Sequence, residues 1–256
     1  MSTTRVPWWA VGAAALGSSL LTITALLGYQ ERVRQRRRRA LKKEAARHAP
    51  DAPLPHVPTP PHAPVRKDMY DESLVREQLS RNYAFLGEEG MDAIRNSFVI
   101  VVGAGGVGSW AALMLLRSGV GRLRLIDFDQ VSLSSLNRHA CATLADVGRP
   151  KVVCCQHFFE RIAPWAHVEA YVDLFRDSEA DRLLAGAPTY VIDAIDNLDT
   201  KVDLIKYCAR HNIKVFSSMG AGAKADPSCI QISDISTTVE DPLARVVRRE
   251  LRVAGI

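Results

Sequence analysis

The chain has 256 residues, 47% of them hydrophobic, with 33 lysines and arginines against 28 aspartates and glutamates, a formal net charge of +5. That length suits one domain of ordinary size plus appendages, and the apolar content excludes a wholly disordered chain. The basic excess crowds between Arg32 and Lys43 while charge is nearly balanced from Asp68 onward, so the basic pI is weak evidence for a nucleic-acid-binding fold.

The first predicted element is Trp8 to Tyr29, which has no charged residue and reaches the ~20 residues needed to cross a bilayer. Trp8, Trp9 and Tyr29 stand at its ends as interfacial anchors would, and the arginine cluster that follows is expected to stay cytosolic together with everything after it. A cleaved signal peptide is the rival reading, and it fits poorly because the basic residues follow the apolar run rather than precede it. Residues 1–30 are thus expected to be a transmembrane anchor, in the mitochondrial outer membrane or alternatively the endoplasmic reticulum. Residues 31–67 are read as a basic, Pro-rich linker: seven prolines between Pro50 and Pro64 make an extended, semi-stiff spacer.

Residues 68–256 are expected to form the folded domain. Helical patterns are predicted at Tyr70–Ser80 and Glu88–Asn96, followed by a β-branched strand at Phe98–Val102. A glycine-rich turn, Gly103-Ala104-Gly105-Gly106-Val107-Gly108, opens into the helical pattern Trp110–Ser118. Strands are predicted at Arg122–Ile126, His167–Val172, Thr189–Ile192 and Ile213–Ser217, with another at Cys229–Ile235. Helices are predicted at Arg149–Ile162, Asp177–Leu184, Leu198–His211 and Pro242–Val253. The alternation predicts an α/β fold, a Rossmann-like, doubly wound, mostly parallel sheet covered on both faces.

The strand–turn–helix unit is the geometry that holds a phosphate chain, because small residues let backbone amides approach and the helix dipole favours negative charge. Gly103, Gly105, Gly106 and Gly108 are the candidate cradle, and Asp127, about 20 residues on at a strand end, is placed to accept hydrogen bonds from ribose hydroxyls. Those features alone fit an NAD-dependent dehydrogenase equally well, or a tight turn without ligand. The polar loop Asp127-Phe128-Asp129-Gln130-Val131-Ser132-Leu133-Ser134-Ser135-Leu136-Asn137-Arg138 favours ATP. Arg138 can neutralise phosphate charge, and Ser134 and Asn137 can donate hydrogen bonds there. Lys151 starts a helix, and Asp193-Ala194-Ile195-Asp196-Asn197 puts acids beyond another strand, where Asp196 suits Mg²⁺. Blander roles are a helix cap for Asp196, a solvated charge for Lys151 and a turn for Asp129. The five cysteines lack CxxC spacing, which reads as a reduced protein without a structural zinc, and Cys229 as buried filler.

Gly-x-Gly-Gly-Val-Gly-Ser, Asp-x-Asp-x-Val-x-x-Ser-x-Leu-Asn-Arg, a lysine thirteen residues after the arginine and Asp-x-x-Asp-Asn together resemble the ATP-pyrophosphate domain of the ubiquitin-activating, MoeB and ThiF superfamily, over residues 81–256. The run Ser217 to Pro227, Ile230-Gln231-Ile232-Ser233-Asp234 and Asp241-Pro242-Leu243-Ala244 resemble its tRNA threonylcarbamoyladenosine dehydratases, and the Val131–His139 loop and N-terminal segment resemble the fungal mitochondrial members. The resemblance implies a tRNA substrate whose threonylcarbamoyl carboxylate is adenylated with ATP and Mg²⁺ and then cyclised with loss of water. It implies phosphate contacts from Gly105, Gly106, Gly108, Arg138 and Lys151, a ribose contact from Asp127, and Mg²⁺ on Asp196 with Asn197 nearby. It also implies a homodimer in which Arg81 completes the neighbouring subunit's site; the plain alternative for Arg81 is a helix-surface charge. The family's C-terminal third does not appear in these 256 residues. The competing readings are an adenylating enzyme for the C-terminus of a ubiquitin-like or sulfur-carrier protein, an inactive truncated nucleotide-binding scaffold, and a dinucleotide-dependent oxidoreductase. Arg245, Arg248, Arg249 and Arg252 lie at helical spacing and are read either as tRNA phosphate contacts or as a solvated face.

Overall fold

The computed structural model describes residues 71–220, 226–239 and 241–256. The expected anchor and linker lie outside the described residues, as do residues 221–225 of the Ser217–Pro227 motif. Among the described residues no helix is long and apolar enough to cross a membrane.

Five strands form one parallel sheet: β1 (Phe98–Val102), β2 (Arg122–Ile126), β3 (His167–Tyr171), β4 (Tyr190–Asp193) and β5 (Val215–Ser217), in the order β3-β2-β1-β4-β5. β1 is central and buried throughout, as a continuous Phe-Val-Ile-Val-Val run requires when both faces are covered. Side-chain alternation splits it between two cores. Val99 and Val101 join Leu123 and Leu125 under α3 (Gly106–Arg117) and α4 (Lys151–Ile162). Phe98, Ile100 and Val102 join Ile126, Leu183 and Leu204 on the other face, beneath α5 (Ala180–Leu183) and α6 (Leu198–Arg210). The doubly wound expectation therefore holds at the level of a five-stranded parallel α/β sheet.

Two helices, α1 (Glu72–Gln78) and α2 (Ser80–Arg95), precede the sheet. Asp71 caps α1 by accepting the Ser73 N–H at 2.6 Å. Val75, Leu79 and Met91 form their own buried cluster. This pair sits by the end of α3 remote from the glycine turn: Asn82 Nδ2 donates to Ser118 O at 3.3 Å, and a Cβ on Gly119 would lie 2.9 Å from Met91 Cε. The last helix, α7 (Pro242–Val253), packs Val247 and Leu251 on Val202 and Ile205 of α6.

Several boundaries differ from the sequence reading. The α2 stretch begins at Ser80 rather than Glu88, with its break at Gly87 (φ +72). α3 begins at Gly106, four residues before the predicted start, because the turn itself is already helical. The strand expected at Cys229–Ile235 is absent. Two short 3₁₀ turns, Pro227–Cys229 and Ile235–Thr237, bracket a segment whose Ile230 and Ile232 are 76% and 81% exposed. Alternating apolar residues there have no neighbouring strand to pair with. Cys229 is exposed too, against the expectation of burial.

The fully buried pair Lys201–Asp193 joins the ends of β4 and β5 to α6. Lys201 Nζ donates to Asp193 Oδ2 at 2.6 Å and to Ser218 O at 2.9 Å, and Ser217 Oγ also donates to Asp193. Removing one partner strands the other charge in the core. Lys201→Met should lower stability by about 3–5 kcal/mol, and the double variant Lys201→Met/Asp193→Asn should recover part of that loss, in urea unfolding followed by tryptophan fluorescence.

Candidate nucleotide site

Parallel strands bring their C-terminal ends to one edge, and the loops there line a crevice. β1 runs into Gly103, whose φ of +94° suits glycine and where an added Cβ would come 2.7 Å from Ala194 O. A Cβ on Gly108 would lie 1.7 Å from Gly103 O, so packing alone demands both glycines. Gly105 is different: a Cβ there meets nothing within 4 Å. Gly105 also caps α3 without any side-chain hydrogen bond, which leaves first-turn N–H groups aimed at that open space. On Gly106 a Cβ would meet the Arg138 stem at 3.0 Å, so Arg138 lies across the start of α3.

β2 delivers Asp127. Its Oδ2 accepts the Ala104 N–H at 2.6 Å and its Oδ1 accepts the Asp129 N–H at 2.7 Å, which ties the glycine turn to the next loop. A carboxylate has about four lone-pair sites, so roughly two remain for hydroxyl donors. Burial pushes this carboxyl above the usual aspartate range, against the pull of the two N–H donors and of Lys151.

Lys151 is 8% exposed, which overturns its reading as a solvated charge. Its Nζ donates to Asp129 Oδ2 at 2.7 Å and its N–H to Asp129 O at 2.9 Å. Asp129 is thus the lysine's partner as well as a turn residue, and the ammonium keeps two further donors. Arg138 Nη1 donates to Ser134 O at 2.8 Å and to Asn137 Oδ1 at 3.2 Å. Asn137 and Ser134 therefore orient the guanidinium, which leaves the Asn137 amide NH₂ to donate outward.

Three residues to which the sequence reading gave no role hold this loop, although Ser109 and His139 lie at the ends of its motifs. Ser109, fully buried, donates through Oγ to Gly105 O at 2.7 Å and accepts the Ala140 N–H at 3.0 Å. Trp110 Nε1 donates to Arg138 O at 3.0 Å. His139 Nδ1 accepts the Cys141 and Ala142 N–H groups at 3.2 and 3.0 Å. Burial, helped by the nearby Lys151 charge, holds the imidazole below its ordinary 6.5. Cys155 Sγ lies 3.8 Å from His139 Nε2, and its thiol is pushed far up by its hydrogen bond with Cys141 and by burial, so it is a packing residue rather than a nucleophile.

From β4 comes the loop with Asp196 and Asn197. Asn197 Oδ1 accepts the Thr200 N–H at 3.1 Å, so Asn197 rather than Asp196 caps α6. Asp196 is exposed and makes no hydrogen bond or ion pair among the described residues. Arg81 stands apart. It is exposed on α2 beside Asn82, whose contact is Ser118 at the far end of α3, about 18 Å along the helix axis from the glycine turn. The structure thus assembles Gly103–Gly108, Asp127, Asn137, Arg138, Lys151 and the Asp196 loop at one edge, and leaves Arg81 outside it.

A family model described as the ThiF family matches residues 79–252. The chain belongs to that family. It is 52% identical over 189 residues to the Saccharomyces cerevisiae tRNA threonylcarbamoyladenosine dehydratase 2, covering 73% of this chain and 42% of that protein. It is 44% identical to the Bacillus subtilis tRNA threonylcarbamoyladenosine dehydratase over 70% of each chain. Among solved structures, the Escherichia coli tRNA N6-threonylcarbamoyladenosine dehydratase in complex with ATP matches with a TM-score of 0.68 and 34% identity, over 71% of this chain and 74% of that one. The chain spans less than half the length of the yeast relative.

Two outcomes test this geometry. Gly108→Ala should fail to fold or be severely destabilised, whereas Gly105→Ala should fold with near-native thermal stability, as circular dichroism melts would read. His139 has a folded pKa below its unfolded one, so the unfolded chain binds more protons once the pH falls below 6.5 and stability is lost there. His139→Asn should flatten that part of the stability–pH curve, measured by urea unfolding between pH 7.5 and 5.5.

Proposed function

We propose that this ThiF-family chain is an ATP-dependent tRNA threonylcarbamoyladenosine dehydratase. The observation that carries the reading is the hydrogen-bonded series from the glycine turn through Asp127 and Asp129 to Lys151, with Arg138 laid over the helix start, in a chain similar to dehydratases over 70% of a full-length bacterial relative. The open space at Gly105 and the uncapped helix start fit a triphosphate, and the free lone pairs of Asp127 fit a ribose.

In this reading the threonine carboxylate oxygen attacks the α-phosphorus of ATP and pyrophosphate leaves. Arg138 and Lys151 offset the charge that grows on the phosphoryl oxygens, in positions fixed beforehand by Ser134, Asn137 and Asp129. The carbamoyl group of the same nucleoside then attacks the activated carbon, closing a ring and expelling AMP, so the net change is loss of water. No protein nucleophile is needed, and holding the two groups in attack geometry supplies much of the acceleration. Asp196, exposed and unengaged, suits Mg²⁺ held jointly by one carboxylate and phosphate oxygens; Mg²⁺ would supply further charge neutralisation there.

The same reading makes the protein a homodimer with Arg81 acting across to the partner subunit. It is favoured by an apolar depression of about 310 Å³ lined by Val107, Ala111, Met114 and Phe216, beside a half-exposed Trp110. It also keeps residues 1–30 as a mitochondrial outer-membrane anchor, with the domain in the cytosol.

Full-length protein incubated with Mg-ATP and tRNA bearing threonylcarbamoyladenosine should remove one water from that nucleoside, read by mass spectrometry after mild digestion. ATP binding without water loss would overturn the substrate assignment. Asp196→Ala and Lys151→Met should each lower ATP–pyrophosphate exchange about 100-fold. Asp196→Ala should keep the wild-type melting temperature, and unchanged exchange in that variant would remove the metal role.

A further inference from the structure

Residues 71–241 carry 17 basic and 23 acidic side chains, whereas α7 carries four arginines against one glutamate. The helix is a positive strip on an acidic body. Ala244, Val247 and Leu251 anchor it. At about 100° per residue, Arg245, Arg249 and Arg252 fall within an arc of about 60° on the opposite side, all three exposed, over about 10 Å of helix. Arg248 is turned aside from this row and donates to Ser236 O and Thr238 O at 2.9 and 3.0 Å.

Helix stability does not account for the row. A cation is favoured in the last turn, as Arg252 is, but disfavoured near the N-terminus, where Arg245 sits. Nor does ion pairing: among the described residues Arg245 and Arg252 have no acidic partner, and Arg249 pairs only with the adjacent Glu250 on the surface. The start of α7 also abuts the open edge of the sheet. A Cβ on Gly220, three residues past β5, would lie 2.9 Å from Asp241 Oδ1, the group that caps α7.

We propose that Arg245, Arg249 and Arg252 form a phosphate-binding row that docks the backbone of the tRNA substrate beside the nucleotide edge. This rests on the dehydratase reading above. The row is a docking surface outside the ATP site, and it reads shape and charge rather than sequence. An anionic membrane surface is the competing occupant of such a face. The exposed position at the sheet edge favours tRNA, because the reacting nucleoside must enter there with its flanking phosphates.

The test compares the full-length chain in detergent with the triple variant Arg245→Gln/Arg249→Gln/Arg252→Gln and with the matching triple Lys variant. Binding of fluorescent tRNA bearing threonylcarbamoyladenosine is followed by anisotropy from 50 to 300 mM KCl, alongside steady-state dehydration and ATP binding. The Gln variant should bind tRNA at least about 10-fold more weakly, with the log Kd–log salt slope reduced by about 2, since each neutralised phosphate contributes somewhat under one unit. Its KM for tRNA should rise while kcat at saturating tRNA and ATP affinity stay within 2-fold, and the Lys variant should retain most of the affinity. The Arg32–Lys43 cluster is common to all three proteins, so the differences report the row alone. Equal tRNA affinity and slope in wild type and Gln variant would overturn the row and leave the dehydratase reading standing. Absence of tRNA binding and dehydration in the wild type would overturn both. Unchanged tRNA binding with lost sedimentation on phosphatidylserine vesicles would overturn the row as a tRNA site and assign it to a membrane.

Discussion

The close approach of Gly108 to the Gly103 carbonyl is the constraint on which the nucleotide edge depends. With no Cβ at either glycine, α3 begins directly on the end of β1 and beneath the Ala194 segment. The contacts between α3 and the Arg138 loop follow from that seat, while Ser134 and Asn137 orient the guanidinium from within the loop. Ser109, the next residue, reaches Gly105 O on one side and the Ala140 N–H on the other, and Trp110 reaches Arg138 O. Gly106 supplies the floor under the guanidinium stem. A shift of one ångström at Gly108 would therefore be transmitted through Ser109 and Trp110 to the charge that faces the crevice.

The charged groups at this edge sort themselves by partner. Lys201 and Asp193 neutralise one another in full burial, and Lys151 and Asp129 do so nearer the surface. Asp127 is satisfied by two backbone N–H groups. That leaves Arg138, whose contacts are a carbonyl and an amide oxygen, as an uncompensated cation, and Asp196 as an unpaired anion. Among the described residues this edge therefore sets an uncompensated guanidinium and amide N–H groups, which suit an anion, near an unpaired carboxylate. The buried pairs confer geometry, because neither can leave its partner without stranding a charge.

The sequence made the sheet legible, because β1 and β4 are short apolar runs and β2 an arginine–leucine alternation, each ending at glycine or aspartate, where parallel strands meet their loops. It also made the nucleotide-edge candidates legible, and the structure brings Gly103–Gly108, Asp127, Asn137, Arg138, Lys151 and the Asp196 loop to one edge, with Arg81 outside it. Less visible was whatever depended on partners distant in the chain. The Cys229–Ile235 stretch has strand alternation, but among the described residues no strand pairs with it. Lys201 shares a helix face with Ile205 and Cys208, a lysine on an apolar stripe, and that pattern was the available signal for its burial against Asp193. Ser109 and His139 carried no such signal. Their importance lies in which backbone groups they meet, and spacing alone does not encode that. The early start of α3 was masked by its glycines, poor helix formers that packing overrides.

Charge distribution poses a further constraint on how a polyanion reaches this edge. The domain body is acidic, so it opposes a polyanion, and the field of any one charge is screened within about 8 Å at physiological ionic strength. Attraction of a polyanion must therefore come from cations close to this edge. Arg138 and Lys151 lie at the crevice itself, Lys151 already paired with Asp129. α7 starts against the same sheet edge and turns Arg245, Arg249 and Arg252 away from α6, which puts compensating charge beside that edge. A basic helix beside the crevice of a body in which acidic side chains outnumber basic ones favours approach of a polyanion at that crevice.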